Sequence, residues 1–100
     1  MRVIAKRTLR EFWESNPKYA DSQGQLEAWY QEVKMANWKN PQDIKNQFRN
    51  ASVLKRGRIV FNICGNKYRL IVKIHFETQI IYIRFVGTHK EYDDVNAEEI

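Results

Sequence analysis

The chain reads as an α+β protein, with N-terminal helices packed on one face of a small antiparallel β-sheet. Three observations predict this. Up to about residue 48 the apolar residues recur at three-and-four spacing, the period of an amphipathic helix. From about residue 52 the composition turns to Ile, Val, Phe and Tyr in alternation, broken by turn residues, as in strands. With 100 residues, 43% of them hydrophobic and 13% aromatic, there is material for one core and not for two. The expected organisation is a single domain: a helical half at about 6–48, a sheet half at about 52–88 and a short C-terminal segment at 89–100.

Val3 and Ile4 can form a short first strand. Thr8 with Glu11 has the spacing of a capping box ahead of Leu9, Phe12 and Trp13, and Asn16-Pro17 ends that helix. Ser22 with Gln25 repeats the pattern before Leu26, Trp29, Tyr30 and Val33. Asn40-Pro41 reads as a cap followed by proline at the first helical position, opening a short helix that carries Ile44 and Phe48.

In the second half, Gly65-Asn66 predicts a two-residue hairpin turn, so facing residues have numbers summing to 131. That rule pairs Ile63 with Tyr68, Phe61 with Leu70 and Ile59 with Val72 on one face. It pairs Asn62 with Arg69, Val60 with Ile71 and Arg58 with Lys73 on the other. A second hairpin around Glu77-Thr78 pairs Val72 with Ile83, Leu70 with Phe85, Lys73 with Tyr82 and Ile71 with Arg84. The expected apolar face is Ile59, Phe61, Ile63, Leu70, Val72, Ile74, Ile81, Ile83 and Phe85, covered by the helices. The opposite face displays Arg58, Asn62, Arg69, Lys73, His75, Tyr82 and Arg84. A polar face is ordinary for an antiparallel sheet. Its sign is not, because four of the seven are Arg or Lys and none is acidic.

The charge distribution repeats this asymmetry. The formal net charge of +5 divides into +1 for residues 1–44, +8 for residues 45–92 and −4 for residues 93–100. A basic middle gathered on one face points to a polyanion. One cysteine, Cys64, allows no internal disulfide, fits a reducing cytoplasmic compartment and is expected to be inert. No leader-like or membrane-spanning apolar run occurs, so a soluble, untargeted protein is expected. His75, His89 and Cys64 lack the spacing of a zinc site, and the four glycines form no phosphate-binding loop, so neither metal nor cofactor is expected.

The constellation with chemistry is the basic face together with Thr88-His89-Lys90-Glu91-Tyr92-Asp93. A phosphodiester there would meet the guanidiniums of Arg69 and Arg84, the ammonium of Lys73, and titratable groups on His89, Lys90 and Tyr92. Phosphoryl chemistry needs this mixture, since charge grows on the non-bridging oxygens while one oxygen loses a proton and another gains one. With RNA the nucleophile can be the substrate's own 2′-hydroxyl. The wider RNA-binding set is Arg58, Lys55, Arg56, Lys67, Tyr82 and Lys90. The same basic face suits a binding surface without catalysis, since phosphate contacts need only charge. His75 reads as incidental, and Trp13, Trp29, Tyr30 and Trp38 as core or helix-sheet seam. The residues alone reach a small basic α+β protein that binds RNA or another polyanion.

Several runs go further. Asp43-Ile44-Lys45 through Phe48, Arg58-Ile59-Val60-Phe61-Asn62-Ile63, Gly65-Asn66-Lys67-Tyr68-Arg69-Leu70-Ile71-Val72 and Tyr82 through Asp93 closely resemble the HigB-type toxins of the RelE/ParE superfamily. Leu9-Arg10-Glu11-Phe12-Trp13 and Ala28-Trp29-Tyr30 are similar as well, so the resemblance covers nearly the whole chain. It implies a RelE-like fold, cleavage of mRNA on the translating ribosome without a metal, and neutralisation by a HigA-type helix-turn-helix antitoxin. Arg69, His89 and Tyr92 occupy places matching the family's scissile-phosphate residues; Lys73, Arg84 and Lys90 transfer less directly. A non-catalytic RNA or ribosome binder and a ParE-like inhibitor of gyrase are the alternatives.

Overall fold

A computed structural model describes residues 1–100. In chain order the elements are β1 (Arg2–Ile4), α1 (Lys6–Ser15), a 3-10 segment (Pro17–Ser22), α2 (Gln23–Met35), α3 (Pro41–Gln47), β2 (Ser52–Val53), β3 (Arg58–Ile63), β4 (Tyr68–His75), β5 (Ile80–Thr88) and α4 (His89–Asp93). The strands form one sheet in the order β1-β5-β4-β3-β2. It is mixed, because β1 runs parallel to β5 while the other pairs are antiparallel.

The α+β reading holds, and so does the division of the sheet into two unlike faces. Ile59, Phe61, Ile63, Leu70, Val72, Ile74 and Ile81 are buried against Leu9, Phe12, Leu26, Trp29 and Val33 of α1 and α2. Trp38 and Ile44 belong to the same core, and Trp29 and Phe48 each meet Phe61 edge-on. No helix is long and apolar enough to cross a membrane.

The helix starts differ from expectation. α1 begins at Lys6 with Ala5 at its cap, so Thr8 lies inside the first turn and makes no capping box with Glu11. Pairing of β1 with β5 leaves Ala5 alone between strand and helix, and that tertiary constraint sets the boundary. Ser22 stands at the N-cap position of α2 but its side chain makes no cap: the 3-10 segment runs straight into α2, and the buried Ser22 Oγ donates to the Tyr19 carbonyl at 2.7 Å. Asn16 does end α1, and Asn40 caps α3 by accepting from the Asp43 N–H at 3.1 Å, with Pro41 in the first turn.

The β3–β4 register is the predicted one at every pair from Arg58 opposite Lys73 to Ile63 opposite Tyr68. The connection spans Cys64–Lys67, four residues instead of two. Both loops share one midpoint, so the pairing is unchanged. The β4–β5 register is as predicted at Val72 opposite Ile83 and Lys73 opposite Tyr82, then slips by one. Ile71 faces Phe85 and Leu70 faces Val86, which leaves Arg84 as the extra residue of a β-bulge. Phe85, expected in the core, is therefore on the basic face, and Val86 packs against the core in its place.

Candidate active site

On a strand, alternate residues share a face, so Arg69, Ile71, Lys73 and His75 of β4 all point away from the helical layer. Arg69 lies opposite Asn62 on one side and Gly87 on the other. A Cβ at Gly87 would come 2.6 Å from the Phe85 ring and 3.1 Å from Glu91 Oε1, so glycine is what allows ring, cap and arginine to crowd together.

Beyond Gly87 the chain turns into α4. Thr88 Oγ1 accepts from the Glu91 N–H at 3.1 Å while Glu91 Oε1 accepts from the Thr88 N–H at 2.9 Å, a complete capping box. The His89 N–H donates to the Lys67 carbonyl at 3.2 Å, tying the start of α4 to the β3–β4 turn. His89 and Tyr92 are three apart and so project from one side of this short helix, their rings 6.4 Å apart at 72°. The Arg69 guanidinium stands 5.6 Å from the Tyr92 ring centre, and its Nη1 donates to the Asn66 carbonyl at 3.2 Å. Asp93 Oδ2 lies 3.4 Å from His89 Nδ1. Arg69, His89 and Tyr92 thus come together as a cation, an imidazole and a phenol.

The other predicted residues are distributed more widely. Lys73 shares the face of Arg69 but lies roughly 13 Å along the strand, at about 3.3 Å per residue, half-buried opposite Arg58 and Tyr82. Tyr82 meets His75 edge-on at 5.6 Å, a second aromatic pair at the far end of the face. Lys90 is exposed on α4, and Lys55 and Arg56 are exposed in the β2–β3 turn.

Two expectations about this face need correction. Lys67 is turned to the helical side, where its ammonium pairs with Asp21, so it is not displayed beside Arg69. Arg58 is only 7% exposed, because the acidic C-terminal segment lies over it. Its Nε and Nη2 donate to the Ile100 main-chain oxygen at 3.2 and 2.7 Å, and Nη1 to the Arg56 carbonyl at 3.0 Å. Arg84 Nε reaches the same Ile100 oxygen at 3.3 Å, and Glu99 pairs with Arg56 at 3.7 Å. The segment therefore bridges β3 and β5 across β4. Val60 and Ile71, on this face and apart from the helical core, are buried there.

Sequence reasoning missed Asp93 as the partner of His89, and it missed α4 as a helix, although Thr88-x-x-Glu91 carries the capping signature. It also missed Asp21. This carboxylate accepts from Lys67 and, at 2.6 Å, from the Tyr68 hydroxyl, and these bonds hold its carboxyl below the usual range. Lys67 is shifted up by the same partner, and burial pushes the Tyr68 phenol up. Cys64 is also pushed up, chiefly by burial and then by Asp21. No group of three His, Cys, Asp or Glu side chains gathers as a set of metal ligands.

Known proteins resemble this chain over nearly its full length. The family described as HigB toxin, RelE-like toxic component of a toxin-antitoxin system, matches residues 22–95. The mRNA interferase toxin HigB of Escherichia coli strain K12 is 34% identical over 99 residues, covering 97% of this chain and 92% of the relative. The mRNA interferase HigB of Shigella flexneri matches to the same extent, and that of Escherichia coli O6:H1 is 27% identical over 95 residues, 93% of this chain and 89% of the relative. With a family match across most of the sheet and helices and a third of all positions shared end to end, the chain belongs to the HigB family of RelE-like toxins of toxin-antitoxin systems.

Proposed function

We propose that this toxin is a ribosome-dependent endoribonuclease that inhibits translation by cleaving mRNA through attack of a 2′-hydroxyl on the adjacent phosphodiester. The convergence of Arg69, His89 and Tyr92 on the face opposite the helices carries this reading. The activity in the names of its relatives, mRNA interferase, supports it.

In this mechanism the 2′-oxygen loses its proton and bonds to phosphorus, and the bond to the 5′-oxygen breaks as that oxygen takes up a proton. The products are a 2′,3′-cyclic phosphate and a 5′-hydroxyl, and no metal ion takes part. Arg69 donates to the non-bridging oxygens as their charge grows. His89, with Tyr92 or Lys90, moves the two protons. Arg84 joins Arg69 at the phosphate where RNA displaces the Ile100 oxygen from its guanidinium. Lys73, Lys55, Arg56, Tyr82 and Lys90 form the surrounding RNA-binding set, in which the cations contact backbone phosphates and Tyr82 offers a base a stacking surface. The partners are a HigA-type helix-turn-helix antitoxin, mRNA and the ribosome, and the compartment is the cytoplasm.

Arg69→Ala tests the reading. Loss of one group that stabilises developing charge typically costs about 10²- to 10³-fold in rate, so the folded variant should lose growth toxicity and leave no new mRNA ends. Primer extension after induction should find such ends inside codons for the parental protein, suppressed by co-expressed antitoxin. Arrest without new ends would replace cleavage by simple binding, and DNA damage with intact transcripts would replace it by gyrase inhibition.

A further inference from the structure

The β3–β4 turn, Cys64–Lys67, holds parts of the candidate site from its own main chain. The Asn66 carbonyl accepts from Arg69 Nη1 at 3.2 Å, and the Lys67 carbonyl accepts from the His89 N–H at 3.2 Å. One residue of the turn thus steadies the guanidinium and the next steadies the start of α4.

On its other side the same turn is gripped by the helical layer. Gln25 Oε1 accepts from the Cys64 N–H at 2.7 Å. Asp21 uses both carboxylate oxygens, Oδ2 for the Lys67 ammonium and Oδ1 for the Tyr68 hydroxyl. The Tyr68 hydroxyl also lies 3.2 Å from the Lys18 carbonyl, so the turn's exit is anchored at two points of the 3-10 segment. Inside the turn, Cys64 and Gly65 have φ of 54° and 67°, a left-handed pair that a non-glycine residue adopts only when its surroundings over-determine it. Lys67 spans the two sides, its side chain on Asp21 and its carbonyl on His89.

We propose that Asp21 and Gln25 are positioning residues for RNA cleavage, clamping from behind the turn whose carbonyls hold Arg69 and the first residue of α4; this rests on the cleavage reading above. Neither side chain reaches the candidate site. Both set where the turn sits, and a displacement of about 1 Å at reacting groups is enough to cost on the order of 10²-fold in rate. A merely stabilising role is a poor account of the Asp21–Lys67 pair, because both partners are about half exposed and such pairs contribute little to folding.

The test uses the full chain on ribosomes loaded with mRNA, comparing Asp21→Asn, Gln25→Ala and Arg69→Ala in single-turnover cleavage. Asp21→Asn and Gln25→Ala should each lower the saturating rate about 10- to 100-fold, with the half-saturating concentration and the melting temperature little changed. Asp21→Glu, which keeps the charge, should recover part of the rate. Amide hydrogen exchange at His89 reads the clamp independently of cleavage and should accelerate in Asp21→Asn and Gln25→Ala. Parental rates and parental His89 exchange in both variants, beside an inactive Arg69→Ala, would overturn the clamp and leave the cleavage reading standing. Rate losses matched by an equal fall in melting temperature would also overturn it, as a fold effect only. If Arg69→Ala cleaved at the parental rate the cleavage reading itself would fall, and the clamp with it.

Discussion

Ile71 distinguishes two pictures of the basic face. On an open, solvated face, truncating one strand residue changes stability little, and Ile71→Ala would cost well under about 1 kcal/mol. Here Ile71 is 0% exposed, lying between Val60 and Phe85 where Ile100 bridges Arg58 and Arg84. Truncation removes three buried carbons, worth about 2.4 kcal/mol at about 0.8 kcal/mol each. The cavity left behind raises the loss into the range of about 2–5 kcal/mol seen for such changes. In a domain of this size that is a large fraction of total stability and lowers the melting temperature by roughly 10 to 40 °C. Urea unfolding of the parental protein, Ile71→Ala, a chain shortened to end at Asp94, and the combination of the two completes a double-mutant cycle. If the C-terminal segment is the cover, the two changes share one interface and their costs fall short of additive by about 0.5–3 kcal/mol. A loss below about 1 kcal/mol for Ile71→Ala, or strict additivity with the deletion, would refute the covered face.

Two further outcomes follow from the turn and from α4. Thr88→Ala removes one half of the capping box and should cost about 1 kcal/mol by urea unfolding. Its effect on cleavage should exceed that small cost, because His89 and Tyr92 ride on the helix it caps; a parental cleavage rate would separate the box from the site. The Asp21 carboxyl is held low by hydrogen bonds from Lys67 first and Tyr68 second, so the folded protein releases this proton more readily than the unfolded chain. Its stabilisation is present above the ordinary carboxylate value of about 3.9 and is lost as pH falls through the lowered value. The difference in urea midpoint between the parental protein and Asp21→Asn should therefore be small, hold steady from about pH 5 to 8 and close in stronger acid.

The helical and sheet halves, the Asn16 and Asn40 boundaries and the β3–β4 register were all legible in the chain, because each rests on local information: a period of two against 3.6, a proline after asparagine, a turn midpoint. Arg69, His89 and Tyr92 were singled out through the family resemblance, since Arg69 lies twenty positions before His89. The remaining features depend on contacts between distant parts of the chain. A bulge at Arg84 moves Phe85 across the sheet because one extra residue reverses every side chain beyond it, and alternation in β5 alone does not say where that residue falls. Ser22 and Gln25, spaced as a cap, bind instead to Tyr19 and Cys64, because the incoming 3-10 segment leaves no free first turn to cap. The acidic segment folds over Arg58 and Arg84, and Asp21 meets Lys67 and Tyr68 from nearly fifty residues away. Charge in the sequence shows that such partners exist. Only the closed fold selects which of them meet, because ion pairs between distant residues carry no periodicity and depend on where the chain brings them.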